Sequence, residues 1–81
     1  MVIKPLRDDL FKFLKNHQLT AKFEKQKLLF ESDYRHPSLN TEILDPKELK
    51  IYSFRIDRKY RAIFIIVQAE AEIVDINNHY K

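Results

Sequence analysis

The chain has 81 residues, with 15 Lys and Arg against 12 Asp and Glu for a formal net charge of +3, and it contains neither cysteine nor glycine. A chain of this length forms one domain, residues 1–81, burying only about 60–65% of the surface its unfolded form exposes. Without cysteine there is no disulfide framework or thiolate metal site, and without glycine there is no glycine-rich phosphate loop or dinucleotide fingerprint.

The opening segment, "MVIKPLRDDL", carries two aspartates where a signal peptide would be apolar, and no segment reaches the roughly 18 apolar residues of a membrane span. A cytoplasmic protein is the simplest expectation. Pro5 suits a first turn, Asp8 and Asp9 suit the positive end of a helix dipole, and Leu6, Leu10, Phe13 and Leu14 recur at helical spacing. These predict a first helix from about Leu6 to Asn16. After the short connection "NHQLT", Thr20 as N-cap opens a second helix running to about Ser32, with Leu19, Phe23 and Phe30 on one side and Lys22, Lys25 and Lys27 on others. So short a connection predicts an antiparallel helical hairpin.

"ESDYRHPSLN" holds Pro37 and a cluster of turn residues and reads as a loop, with Glu42 lying between it and the first strand. The runs "KIYSFRI", "YRAIFIIV" and "EIVDI" are rich in β-branched and aromatic residues and are separated by "DRK" and "QAEA", which predicts a meander. The middle run is almost continuously apolar, as for a central strand covered by helices on one face and partly covered on the other. The fold class is therefore α+β, a helical hairpin on a small antiparallel sheet, with residues 2–4 as a further edge strand.

Basic charge concentrates on the first β-hairpin, where Lys50, Arg55, Arg58, Lys59 and Arg61 stand against Asp57 alone. An arginine within a strand costs stability unless its guanidinium reaches water, a carboxylate or a phosphate. For Arg55 the structural alternative is an edge residue whose stem covers apolar surface. For Arg61, at the open start of the central strand with little core to support, it is an ion pair with Asp57 or Glu72. A two-residue turn pairs Ile56 with Arg61 and puts the two arginines on opposite faces, whereas a three-residue loop unites them. The sequence leaves both open. His79 and Tyr80 adjoin near the C-terminus, while His17 and His36 read as ordinary solvated histidines. No pair of the three histidines has the spacing of a metal-ligand set, so no metal or cofactor is expected.

The pattern "IYSFRIDRKYRAIF", a following strand and the terminal "HY" together resemble the RelE/ParE superfamily of toxins from type II toxin–antitoxin systems, most of all its YoeB-like mRNA interferases. The resemblance is best over residues 41–80. It implies a metal-independent endoribonuclease that cuts translated mRNA on the ribosome, with Glu42, Arg61, His79 and Tyr80 at the catalytic positions. Glu42 would be the base for the 2′-OH, Arg61 the phosphate clamp, His79 the acid and Tyr80 the ring that orients a splayed nucleotide. Arg55, Arg58, Lys59 and Lys50 would hold the RNA backbone. The partners implied are a cognate antitoxin, the ribosome and mRNA, with no membrane. The chain departs from the family by placing Asp57-Arg58-Lys59 where a glycine is common and by extending to Lys81. Two alternatives remain: a ParE-like toxin that inhibits DNA gyrase by binding without cleavage, and a catalytically degenerate member of the fold that only binds its antitoxin.

Overall fold

The computed structural model describes residues 1–78; His79, Tyr80 and Lys81 lie outside the described residues. Helix α1 spans Asp8–Asn16, with Asp8 and Asp9 in its first turn, Lys15 in its last, and Leu10 and Leu14 buried. It starts two residues later than Leu6, after Arg7, which adopts extended backbone and binds the Asp9 carboxylate through Nε and Nη2, both at 2.9 Å. The helix closes with Gln18 in left-handed conformation (φ 56°), the Gln18 N–H donating to the Lys15 carbonyl and the Leu19 N–H to the Leu14 carbonyl. That is the bond pattern of a Schellman cap, made with glutamine where glycine is usual. Leu19, only 2% exposed, then begins the next helix at once.

Helix α2 spans Thr20–Ser32 and buries Phe23, Gln26 and Phe30. Its N-cap position is Leu19 and no side chain caps it, so Thr20 falls inside the first turn and is not the expected cap. Strands β1 (Glu42–Ile43), β2 (Tyr52–Arg55), β3 (Arg61–Val67) and β4 (Glu70–Asn77) form an antiparallel sheet in the order β1-β2-β3-β4. Glu42 thus lies in an edge strand of its own, not in a connection ahead of the first strand. The expected edge segment at residues 2–4 reduces to one parallel bridge, Ile3 to Ala71, with the Lys4 N–H donating to the Ala71 carbonyl and the Ala71 N–H to the Val2 carbonyl.

The core lies between the helices and the inner face of the sheet. Phe30 packs against Phe54 (5.2 Å between ring centres) and edge-on against Phe64 (5.3 Å), and Phe23 reaches Phe54. Each aromatic pair of this kind adds about 0.5–1.5 kcal/mol beyond the area it buries. Since Phe54 and Phe64 point inward, the alternating positions of β2 and β3 point away from the helices. A bulge between Ile63 and Phe64 lets β4 skip Val74 while keeping Ile73 inside. Among the described residues no helix is long and apolar enough to cross a membrane.

The turn from β3 to β4 is tighter than "QAEA" suggested, because Glu70 and Ala71 already belong to β4. Only Gln68 and Ala69 connect the strands, both left-handed (φ 52° and 67°), as a two-residue turn matching the strand twist requires. Left-handed backbone costs a residue with a Cβ about 1–2 kcal/mol, partly offset by the greater freedom glycine has in the unfolded chain. Ala69→Gly is therefore expected to stabilise the protein by about 0.5–1 kcal/mol, raising the melting temperature by about 2–8 °C. A lowered melting temperature in calorimetry would mean that this turn is not left-handed in solution.

Candidate active face on the open side of the sheet

The hairpin loop decides how the arginines face. The Ile56 N–H donates to the Tyr60 carbonyl (3.0 Å), leaving Asp57, Arg58 and Lys59 as a three-residue loop. Asp57 Oδ1 accepts from the N–H groups of Lys59 (2.8 Å) and Tyr60 (2.7 Å), so a carboxylate organises the loop in the absence of glycine. Burial pushes the Asp57 carboxyl up, but the Tyr60 and Lys59 N–H groups and nearby Lys22 outweigh it and hold it below its ordinary value. The resulting register sets Arg55 directly opposite Arg61, on the face away from the helices.

Glu42 joins them, because it pairs with Ser53, Ser53 pairs with Ile63, and Ser53 and Arg55 share a face of β2. On the far side of β3, Asn77 is the partner of Arg61 and Asp75 of Ile63. One outward patch thus collects Glu42, Ser53, Arg55, Arg61, Asp75 and Asn77.

Within it the two arginines have different fates. Arg55 is exposed, whereas Arg61 is only 5% exposed. Arg61 Nε donates to Ser53 Oγ (2.9 Å), and Nη2 donates to the Ser53 carbonyl (3.3 Å) and to the Asn40 carbonyl. Burial pulls the Arg61 guanidinium below its ordinary value, the Glu42 charge pushes it back up, and Arg55 adds to the downward pull. It remains a cation, since a guanidinium does not lose its proton in a protein. The structural ion pairs open to Arg61 in the sequence are made elsewhere: Asp57 meets Lys22 at 3.4 Å and Glu72 meets Lys4 at 3.9 Å. The expectation that Arg61 supports little core is corrected, for it ties β2 to the residue preceding β1's approach.

That residue, Asn40, follows a single 3₁₀ turn, Pro37–Leu39, and is left-handed (φ 46°), which turns its carbonyl onto Arg61. Leu39 is fully buried beneath the turn. From α2, the buried Gln26 Nε2 donates to the Arg55 carbonyl (2.7 Å) and the Ser38 carbonyl (3.3 Å). Asn40, Ser53 and Gln26 were not singled out by the sequence. Gln26 alone left a trace there, as a polar residue at the helical spacing of Phe23 and Phe30.

The remaining cations are not gathered on this patch. Arg58 and Lys59 occupy the loop tip at the end of the sheet, where the neighbouring Tyr60 turns toward the helices and meets Phe13 and His17 edge-on. Lys50, left-handed after the turn Lys47–Leu49, precedes β2 and so lies at the opposite end of that strand from Arg55. His17 stacks on Phe13 (4.0 Å) with Nδ1 at the Phe13 carbonyl, and His36 Nδ1 accepts from the Ser38 N–H, so both have local structural roles rather than simple solvation. His79 and Tyr80 follow Asn77, the partner of Arg61, by two and three residues in sequence, and lie outside the described residues.

No protein-family model matches the chain, and no curated protein matches it. Solved structures do. A YoeB/ParE toxin from Agrobacterium tumefaciens superposes with a TM-score of 0.71 at 16% identity, covering 98% of this chain and 96% of that one. A YoeB-YefM complex from Staphylococcus aureus gives a TM-score of 0.61 at 21% identity, and a heterotetrameric YoeB-YefM toxin–antitoxin complex from the same organism gives 0.61 at 20%, each covering 98% of this chain and 94% of the other. At these identities the likeness is one of fold: two helices on a four-stranded antiparallel sheet, as in the YoeB/ParE toxins.

Proposed function

We propose that this chain, which has the fold of YoeB/ParE toxins, is the toxin of a toxin–antitoxin pair and acts as a metal-independent endoribonuclease on translated mRNA. The observation that supports this most is the convergence of Glu42, Arg55 and Arg61 on the helix-free face, with Arg61 held in place by Ser53 and Asn40. Metal-free RNA cleavage needs a base for the 2′-OH, fixed positive charge beside the phosphate, and an acid for the leaving 5′-oxygen.

In this reading Glu42 takes the 2′-OH proton as that oxygen attacks phosphorus. The bond to the 5′-oxygen breaks and His79 returns a proton to it, leaving a cyclic phosphate on one fragment. Arg61 supplies charge that is oriented before the substrate arrives, so none of the binding energy goes to ordering it. Exposed Arg55 contacts the backbone directly. Tyr80 stacks on a splayed base, and Arg58, Lys59 and Lys50 contribute steering charge from the two ends of the hairpin. The ribosome positions the strand, and a cognate antitoxin restrains the protein by covering this face or displacing the C-terminal residues.

The test is induced expression in a bacterium with mapping of RNA ends. Growth arrest with new ends inside translated codons, and none in naked RNA at the same protein concentration, is the expected result. The burial of Arg61 against Ser53 and Asn40 also suits a purely structural arginine, which favours the binding-only toxin as the second reading. Growth arrest with intact mRNA and inhibited gyrase would establish that reading in place of the first.

A further inference from the structure

The loop between α2 and β1 forms an open pocket of about 510 Å³, lined by Tyr34, Arg35, His36, Pro37, Asn40 and Thr41. The reaction proposed above makes no use of it. Its position is nevertheless fixed to the reacting face at two points: Arg61 holds the Asn40 carbonyl, and Gln26 holds the Ser38 carbonyl together with that of Arg55. Both donors are buried, at 5% and 7% exposure, so the pocket and the arginines keep a set spacing.

Its lining suits one kind of ligand. Tyr34 rests against Phe30 (6.2 Å between ring centres) yet keeps 40% of its surface exposed, and the Arg35 guanidinium lies over its ring at 5.6 Å. An aromatic ring and a planar cation are the surfaces on which single-stranded bases stack. His36 accepts the Ser38 N–H at Nδ1, so the neutral ring carries its proton on Nε2 as a donor. The Asn40 carboxamide offers both a donor and an acceptor to a base edge. No acidic side chain lines the pocket, and neighbouring Asp33 is engaged with the Arg35 N–H. An anionic ligand therefore meets the Arg35 cation and no carboxylate in the lining itself.

We propose that this pocket takes the base of a nucleotide next to the cleaved phosphate and sets the nucleotide preference at that position, with Tyr34 and Arg35 as the stacking surfaces and Asn40 as the reader of the base edge. The inference rests on the endoribonuclease reading. The experiment uses bacterial ribosomes programmed with an mRNA whose target codon is 2′-O-methylated to block cleavage and carries 4-thiouridine at the neighbouring position. Crosslinks are mapped by mass spectrometry on the full chain. Expected are crosslinks within residues 34–41, a yield about ten- to a hundredfold lower in Tyr34→Ala and preserved in Tyr34→Phe, and a flattened nucleotide preference in Asn40→Ala. Crosslinks that map elsewhere on the protein, in the unsubstituted chain as well, would overturn the pocket while leaving the nuclease reading intact. No association with programmed ribosomes at all would overturn that reading and the pocket with it.

Discussion

Arg61→Ala is expected to lower stability by about 2–4 kcal/mol and to abolish growth inhibition. The stability loss follows from what the guanidinium holds. Removing it takes from the Ser53 hydroxyl and the Asn40 carbonyl the donor that Arg61 supplies, while the Ser53 carbonyl still faces its ladder partner Glu42, and an orphaned buried polar group costs about 1–3 kcal/mol. Asn40 is exposed and can be rehydrated, which keeps the sum at the lower end of two such penalties. A chain of this length has about 4–12 kcal/mol of stability in all, so the variant sits near the edge of folding at 37 °C. Arg61 sits at the start of its strand yet is buried there, so its truncation is expected to be costly. Denaturant midpoints decide it: a loss under about 1 kcal/mol would mean that the bonds to Ser53 and Asn40 are not made in solution.

Arg61→Lys separates the two consequences. An ammonium keeps the charge and has three donors, but they radiate from one compact point and cannot reproduce the planar fork with which the guanidinium spans Ser53 Oγ and two carbonyls. Partial recovery of stability with little recovery of growth inhibition would locate the effect in orientation, since charge alone is then present and insufficient.

What could be read from the sequence was whatever depends on local periodicity. Leu10 and Leu14, then Phe23 and Phe30, mark the two helices, and the β-branched runs mark three of the four strands. What escaped depends on contacts made at a distance. Strand β1 has two residues, too few for alternation to show, so Glu42 looked like part of a connection. The facing of Arg55 and Arg61 follows from the Asp57 carboxylate accepting two backbone N–H groups, which no residue count in the loop reveals. Without glycine, the left-handed positions among the described residues fall on Gln18, Asn40, Lys50, Gln68 and Ala69, and of these only asparagine is a residue type that visits that region readily. The burial of Arg61 is invisible for a similar reason, because its partners Ser53 and Asn40 come from another strand and another loop.

Glu42→Gln is expected to leave the fold in place and lower cleavage of mRNA on translating ribosomes by about a hundred- to ten-thousandfold, the usual worth of a positioned general base. The amide preserves shape and most of the packing of this half-buried side chain, so the loss reads the carboxylate's proton affinity. Its charge has a second role, since it offsets the burial of Arg61, and removing it should cost a small amount of stability that denaturation can register. The two roles predict different patterns. If Glu42 is the base, single-turnover cleavage falls steeply, far more than the small shift in the unfolding midpoint accounts for. If the midpoint falls and cleavage stays within a fewfold of the parent, the carboxylate serves only as the countercharge that keeps Arg61 in place, and the proton of the 2′-OH leaves through a ribosomal group instead.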